Sequence, residues 1–259
     1  MQSTPKENGP PSSEKVALIT GASRGIGLET ARQLGQLEIS VITAARSQTK
    51  AKQVADTLRS EGLNATPLKL DVTHEEDWQS AHDYLAEHYG RLDILINNAA
   101  VWLESDNAAQ HVPNGTSSLS LDLLREIFRV NFFSVVGLTQ ALLPLLHKAP
   151  AARIVNVSSN MGSLALQADP TYPYYSHKIF GYSSSKTALN SFTIHLAHEL
   201  RDTPIKVNSV HPGWVRTDMG GKEADLSIAE GAKGVVTYAT LPNGGPTSGF
   251  YFENQKIPW

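Results

Sequence analysis

The chain has 259 residues, 41% of them hydrophobic, a formal net charge of -3 and no cysteine. This length suits one α/β domain with a sizeable core. The slightly acidic balance argues against a nucleic-acid partner, and the missing cysteines exclude disulfides, thiolate catalysis and Cys-ligated zinc.

The opening stretch MQSTPKENGPPSSEK has no apolar centre of the kind a secretory leader needs. Proline, serine and charge dominate it, so residues 1–14 are expected as a disordered tail and a cytoplasmic location is expected. From Lys15 onward, short apolar runs alternate with longer amphipathic ones. VALIT (16–20) reads as a strand, followed by a glycine turn and a helix to about Gln36. ISVITAA (39–45) is the next strand, with a helix through Glu61. ATPLKLDV (65–72) and LDILINNA (92–99) read as strands around a helix over 75–89. The segment 120–147 has a long helical pattern with Phe128, Phe132, Leu138, Leu142 and Leu145 near one face. ARIVNVSS (152–159), IKVNSVHP (205–212) and SGFYFE (248–253) read as later strands, and helices fit 182–201 and 228–240. Strand–helix alternation over 15–259 predicts a single domain: a Rossmann-type, doubly wound parallel sheet with helices on both faces. The polar stretch 104–119 and the Pro-, Tyr- and Gly-rich stretch 160–181 read as insertions over a ligand cleft. No run approaches the ~18 apolar residues of a membrane span, and no membrane partner is expected.

TGASRGIG (20–27) joins the first strand to the first helix. Gly21, Gly25 and Gly27, with Ser23, Arg24 and Ile26 between them, let backbone approach a pyrophosphate that the free N–H groups of a helix N-terminus would hold. The spacing is G-x-x-x-G-x-G. NAD-binding folds of this kind place an acidic residue near the end of the second strand, on the ribose 2′-hydroxyl. Here that region reads TAARSQ, with Arg46 and no acid. Arg24 and Arg46 suit a 2′-phosphate, so NADP(H) is the expected cofactor.

GYSSSKTALNSF (181–192) sets Tyr182 four residues before Lys186. Positions i and i+4 share a helix face, so both side chains can converge on one site. A neighbouring cation favours phenolate; moving a phenol from ~10 toward ~7 requires roughly 4 kcal/mol. YYSHK (174–178) holds a second Tyr-x-x-x-Lys pair, Tyr174 and Lys178. Pro170 and Pro173 before it and Gly181 after it fit a loop, whereas SSSKTALNSF runs on into an amphipathic helix. Tyr182 is therefore the expected acid.

TGASRGIG, NNAA (97–100), the Asn131 of RVNFF, NVSS (156–159), Tyr182-x-x-x-Lys186 and HPGWVRTDM (211–219) occur in the order found in short-chain dehydrogenases/reductases, and the chain from 15 to 259 resembles that family. PGWVRTDM, EGA (230–232) and Trp259 are similar to its NADPH-dependent carbonyl reductases. The resemblance implies that Asp71 and Val72 meet the adenine and that Asn97 and Ala99 line the cofactor groove. It implies that Pro212, Gly213, Val215 and Thr217 surround the nicotinamide amide, and that Lys186 binds the ribose next to the nicotinamide. Ser159 would hold the substrate oxygen, Tyr182 would be general acid or base, and Asn131 would hold a water in a proton relay.

The activity so implied is reversible hydride transfer, reducing a ketone or aldehyde to an alcohol. Trp102, Leu103, Met161, Trp214 and Met219 are candidates for an apolar substrate wall, with Tyr172, Tyr174 and Tyr175 as a cap, which suggests a hydrophobic substrate. The nine histidines show no metal-ligand spacing. Family members often pair through the helices expected at 120–147 and 182–201, so a homodimer or homotetramer is expected. The alternative is a non-catalytic NADP(H)-binding sensor that kept the fold. Nucleotide-sugar epimerases also use Tyr-x-x-x-Lys but carry a different glycine spacing, and enoyl reductases set the Tyr and Lys further apart.

Overall fold

The computed structural model describes residues 14–105 and 115–259. Apart from Glu14, the expected tail lies outside the described residues, as does most of the polar stretch 104–119.

The apolar runs form parallel strands, and the amphipathic runs between them form crossover helices. In chain order these are β1 (Val16–Ile19), α1 (Gly25–Gln36), β2 (Ser40–Ala45), α2 (Gln48–Ser60), β3 (Ala65–Lys69), α3 (Glu75–His88) and β4 (Ile94–Asn97). Then follow α4 (Leu121–Phe128), a π-helical turn (Arg129–Phe133), α5 (Ser134–Leu146), β5 (Arg153–Val157), a 3-10 turn (Asn160–Gly162) and α6 (Leu164–Ala168). The chain closes with α7 (Phe180–Glu199), β6 (Lys206–His211), α8 (Ile228–Ala239), β7 (Gly249–Phe252) and β8 (Gln255–Lys256). All eight strands form one sheet in the order β3-β2-β1-β4-β5-β6-β7-β8. Every pairing is parallel except the final β7–β8 hairpin. This is the doubly wound architecture expected from the alternation. The hairpin strand β8 and the short α6 have no counterpart in the sequence reading.

Alternation along each strand decides which face a residue buries. Leu18, Ile42, Leu95, Ile154 and Val207 point to one side and pack with Leu85 of α3, Leu138 and Leu142 of α5 and Leu196 of α7. Ala17, Ile19, Val41, Ile94, Ile96 and Val155 point to the other and pack with Leu34 of α1, Leu58 of α2 and Val235 of α8. Each fully buried Leu or Ile removes enough apolar surface from water to contribute about 1.5–3 kcal/mol. Serine caps fix several helix starts. Ser47 accepts the Lys50 N–H at 3.2 Å. Ser227 and Glu230 form a reciprocal capping box on α8.

The run from Leu121 to Leu146 is helical throughout, and by length and composition alone it could cross a membrane. The sequence reading had expected no such run. Half of its apolar window is packed inside the fold, where Leu138, Leu142, Leu145 and Leu146 are fully covered or nearly so. Those residues are lining the core between sheet and helices.

Strand order reverses between β1 and β4. In open α/β sheets ligands bind beyond the carboxyl ends of the strands at such a switch point. The glycine turn after β1, the NNAA segment after β4, the serine pair after β5 and the Pro-Gly turn after β6 all emerge at this edge.

Candidate active site

A cleft of about 1190 Å³ opens along the carboxyl edge of the sheet. Gly21, Ser23, Arg24, Gly25, Ile26 and Gly27 form one end of its floor, and Tyr182, Lys186 and Pro212 form the other. Gly21 has φ of 62°, and a Cβ there would stand 2.9 Å from Ala99 Cα. A Cβ on Gly27 would run into Asn98 Nδ2 and the Gly21 carbonyl. Only glycine lets the turn lie this close to the β4 edge. Asn98 is the residue that holds it: Nδ2 donates to the Thr20 carbonyl at 2.9 Å and the Gly21 carbonyl at 3.2 Å. Thr20 Oγ1 in turn accepts the N–H groups of Asn98 and Ala99.

Asn97, expected in the groove, is instead buried beneath it. Its Nδ2 donates to Thr139 Oγ1 at 3.1 Å and Asn156 Oδ1 at 2.8 Å, tying β4 to α5 and β5. The period of the strand decides this, since neighbours point to opposite faces. NNAA therefore holds a strand-tying residue and a turn-holding residue side by side, and the sequence reading singled out the first.

The open end of α1 fits the pyrophosphate of a dinucleotide. Its first turn carries no acidic residue and no side-chain cap, in contrast to the serine-capped α2, α4 and α8. Free N–H groups and the positive end of the helix dipole thus face the cleft at the glycine turn. Arg46, Asp71 and Val72 also line the cleft. Burial acts to raise the Asp71 carboxyl, but the Thr73 N–H and hydroxyl at 3.0 and 2.8 Å, with His74 and Arg46 nearby, outweigh it and hold it below the usual carboxylate range. Arg24 also lines the cleft, and its guanidinium is paired with Asp218 at 2.6 Å.

At the other end, Tyr182 and Lys186 lie one turn apart on α7, both turned inward and buried at 7% and 2% exposure. Lys186 Nζ donates to the Val157 carbonyl at 2.8 Å and lies 5.6 Å from the Tyr182 ring centre. Burial pushes the Tyr182 phenol up to about 12, against a hydrogen bond with Ser159 that pulls the other way. Burial pushes the Lys186 ammonium down to about 7. The expected lowering of the phenol by its neighbour is thus not the balance these side chains strike: a lysine this desolvated carries only part of its charge at neutral pH, and the loss of water dominates both groups.

Ser159 Oγ donates to Asn160 Oδ1 at 3.2 Å and accepts the Met161 N–H at 3.2 Å. Asn160 Nδ2 reaches on to the Tyr172 hydroxyl. Asn131 is fully buried within the π-helical turn. Its Oδ1 accepts the Val101 N–H at 2.8 Å, and its Nδ2 donates to the Val101 carbonyl at 3.0 Å and Ser185 Oγ at 3.1 Å. The side chain is thereby committed to protein partners. Tyr174 and Lys178 sit in a turn outside the cleft lining. The Tyr174 ring packs edge-on against Tyr172 and His177, and Lys178 lies over the Tyr175 ring.

Thr217 and Met219 line the cleft along with Pro212. Gly213 and Val215 lie behind them: Val215 is buried and bridges to Leu226, and a Cβ on Gly213 would strike the Leu226 side chain. Trp102 packs on the Tyr182 ring with centres 4.7 Å apart at 50°. Trp214 is turned to its own loop, donating Nε1 to the Gly220 carbonyl at 2.8 Å, and neither it nor Met161 is in the cleft lining. Glu104, which no motif singles out, accepts the N–H groups of Gly181 and Tyr182. Among the described residues, no group of three or more His, Cys, Asp or Glu is placed to hold a metal ion.

A family model described as short chain dehydrogenase matches residues 15–226. A short-chain dehydrogenase of Penicillium roqueforti, anuI, is 38% identical over 232 residues, covering 87% of this chain and 88% of that one. Among solved structures, the NADPH-bound carbonyl reductase from chicken fatty liver superposes with a TM-score of 0.81 at 28% identity, over 95% of this chain and 99% of that one. Salutaridine reductase of Papaver somniferum superposes at 0.79 and 28% identity, over 93% and 100% of the two chains.

Proposed function

Since the chain belongs to the short-chain dehydrogenase family, an oxidoreductase family, we propose that it reduces the carbonyl of a hydrophobic ketone or aldehyde with NADPH, reversibly. The observation that carries this reading is the inward pair Tyr182 and Lys186 at one end of a dinucleotide-sized cleft, with Ser159 near enough to the phenol to act on its proton affinity. A similarity to an NADPH-bound carbonyl reductase supports the cofactor. So does the cationic Arg46 where NAD-binding folds carry an acid.

In this reading the amides at the start of α1 hold the pyrophosphate, Arg24 and Arg46 meet the 2′-phosphate, and Lys186 Nζ binds the ribose hydroxyls. When bound, the reduced nicotinamide supplies hydride to the carbonyl carbon. The oxygen that gains charge is held by the Ser159 and Tyr182 hydroxyls, which are buried and so act in a low-dielectric setting. Tyr182 Oη then gives up its proton. A phenol pushed up to about 12 is fully protonated at neutral pH, and an alkoxide is a stronger base than phenolate, so the transfer runs downhill. Lys186, held near 7, can return a proton toward Tyr182.

The test is NADPH oxidation followed at neutral pH with a panel of aliphatic and aromatic ketones and aldehydes. Turnover that Tyr182→Phe removes supports the reading; NADPH binding without turnover on any of them leaves the sensor alternative instead.

A further inference from the structure

Glu104 is a buried carboxylate, 6% exposed, at the junction of the cleft wall and α7. Its two oxygens each accept one backbone N–H: Oε1 from Gly181 at 3.0 Å and Oε2 from Tyr182 at 2.8 Å. Burying an ionised carboxylate is costly unless it is paired or hydrogen-bonded. Here it is met by charge-assisted bonds from amides that also lie at the positive end of the helix dipole. These amides need an acceptor, because Ile179 precedes the helix and has no polar side chain with which to cap it. The fit is close: a Cβ on Gly181 would stand 3.2 Å from Glu104 Oε2 and 2.8 Å from Ile127 Cδ1.

The segment that carries Glu104 is itself held in place. Val101 is clamped through both its N–H and its carbonyl by the Asn131 side chain. Between these anchors, Trp102 lies on the Tyr182 ring, with its Nε1 donating to Ser105 Oγ at 2.8 Å. Tyr182 is therefore gripped twice by one short stretch, by its own amide and by its ring.

We infer that Glu104 is a positioning residue for the proposed reaction: its carboxylate pins the first turn of α7 so that the Tyr182 hydroxyl faces the substrate oxygen beside Ser159. This rests on the reductase reading of the same site. The geometry implies a separation of effects. Tyr182 belongs to the first turn, where no intrahelical acceptor exists for its N–H, so loss of Glu104 frees the residue directly. Lys186 lies one turn further in, and its ammonium is anchored on the Val157 carbonyl. The pyrophosphate end of the cleft is built from other elements altogether.

Glu104→Gln keeps the shape and one acceptor oxygen but turns an NH2 toward the second amide. Glu104→Ala removes both acceptors. The expected result is a fall in kcat of about tenfold for E104Q and about a hundredfold for E104A, the scale of a misplacement near 1 Å, with KM for NADPH within about twofold of wild type. In the NADPH-free protein, amide hydrogen exchange in the peptide spanning 179–186 accelerates in the same rank order, and the remainder of α7 keeps its protection. Wild-type kcat in both variants, unchanged exchange at 179–186, or parallel loss of kcat and NADPH affinity would each overturn the inference. Wild-type protein that turns over no carbonyl compound defeats the reductase reading alone, and the exchange measurement still judges the clamp.

Discussion

At the scale of single residues, the proposed chemistry turns on how burial and hydrogen bonding set one phenol. The Tyr-x-x-x-Lys spacing was legible in the sequence because a helix puts i and i+4 on one face. The direction of the Tyr182 shift was not, because it comes from groups far away in the chain: Trp102 across the ring, and the strands and helices that exclude water. A phenol pushed up to about 12 is protonated at any ordinary pH. Reduction, which needs the proton on Tyr182, should therefore hold its rate across neutral pH, while alcohol oxidation, which needs phenolate, should climb as pH rises through the alkaline range. Profiles of kcat in both directions check this; an oxidation rate that saturates below pH ~7 would show the phenol to be lowered instead. Tyr182→Phe removes the hydroxyl that gives its proton to the substrate oxygen and should cut kcat by roughly 10²–10⁴, the usual contribution of a general acid, with NADPH affinity preserved. Tyr174→Phe should leave both unchanged, because that ring packs among Tyr172 and His177 in the turn before α7.

At the scale of elements, long periodic segments were readable and their ends were less so. The helix expected at 182–201 begins at Phe180, since the acceptor for its first turn is Glu104, remote in sequence, and no local serine or aspartate marks the start. The stretch read as one helix over 120–147 contains a π turn at Arg129–Phe133. An i→i+5 bond leaves no trace in hydrophobic period, and the Asn131 side chain, expected to hold a water, is seen to clamp Val101 only once the two segments lie side by side. The glycine turn was legible as a cradle, but its keeper was not: Asn98 recognises backbone carbonyls of Thr20 and Gly21, an interaction that only the parallel pairing of β1 and β4 creates. Gly27→Ala tests the turn. The new methyl would collide with Asn98 Nδ2 and the Gly21 carbonyl, and the strain of such overpacking is typically about 1–3 kcal/mol. The expected outcome is a folded protein with a lowered unfolding midpoint and at least a tenfold weaker NADPH complex, measured by titrating NADPH fluorescence, and with kcat at saturating NADPH much less affected.

At the scale of the whole molecule, strand–helix alternation carried the architecture, because a parallel sheet needs a crossover between each pair of strands and right-handed crossovers leave few topologies. What alternation could not show is which side chains meet across the cleft mouth. Arg24, on the turn after β1, and Asp218, on the loop after β6, are remote in sequence and pair at 2.6 Å. Both are largely exposed, so the pair adds little to stability. Under the proposed cofactor assignment its consequence lies in binding, for Asp218 occupies the guanidinium that a 2′-phosphate would claim and places a carboxylate beside it. On the proposed cofactor reading, NADPH would have to displace that carboxylate, whereas NADH would gain nothing from doing so. At a concentration about 100 times its Kd, a ligand that binds only the folded state stabilises it by about 2.7 kcal/mol. For a chain of this size that corresponds to a midpoint rise of several degrees, roughly 5–10 °C. NADPH should give that rise at lower concentration than NADH in wild-type protein. Asp218→Asn should widen the gap by tightening NADPH alone, and Arg46→Glu should narrow or reverse it by placing an acid where NAD-binding folds carry one. Thermal unfolding against both cofactors in the three proteins reads out these shifts. Equal midpoints with NADPH and NADH throughout would mean that neither arginine meets a 2′-phosphate, and the assignment of this end of the cleft would fall while the Tyr182 end stood.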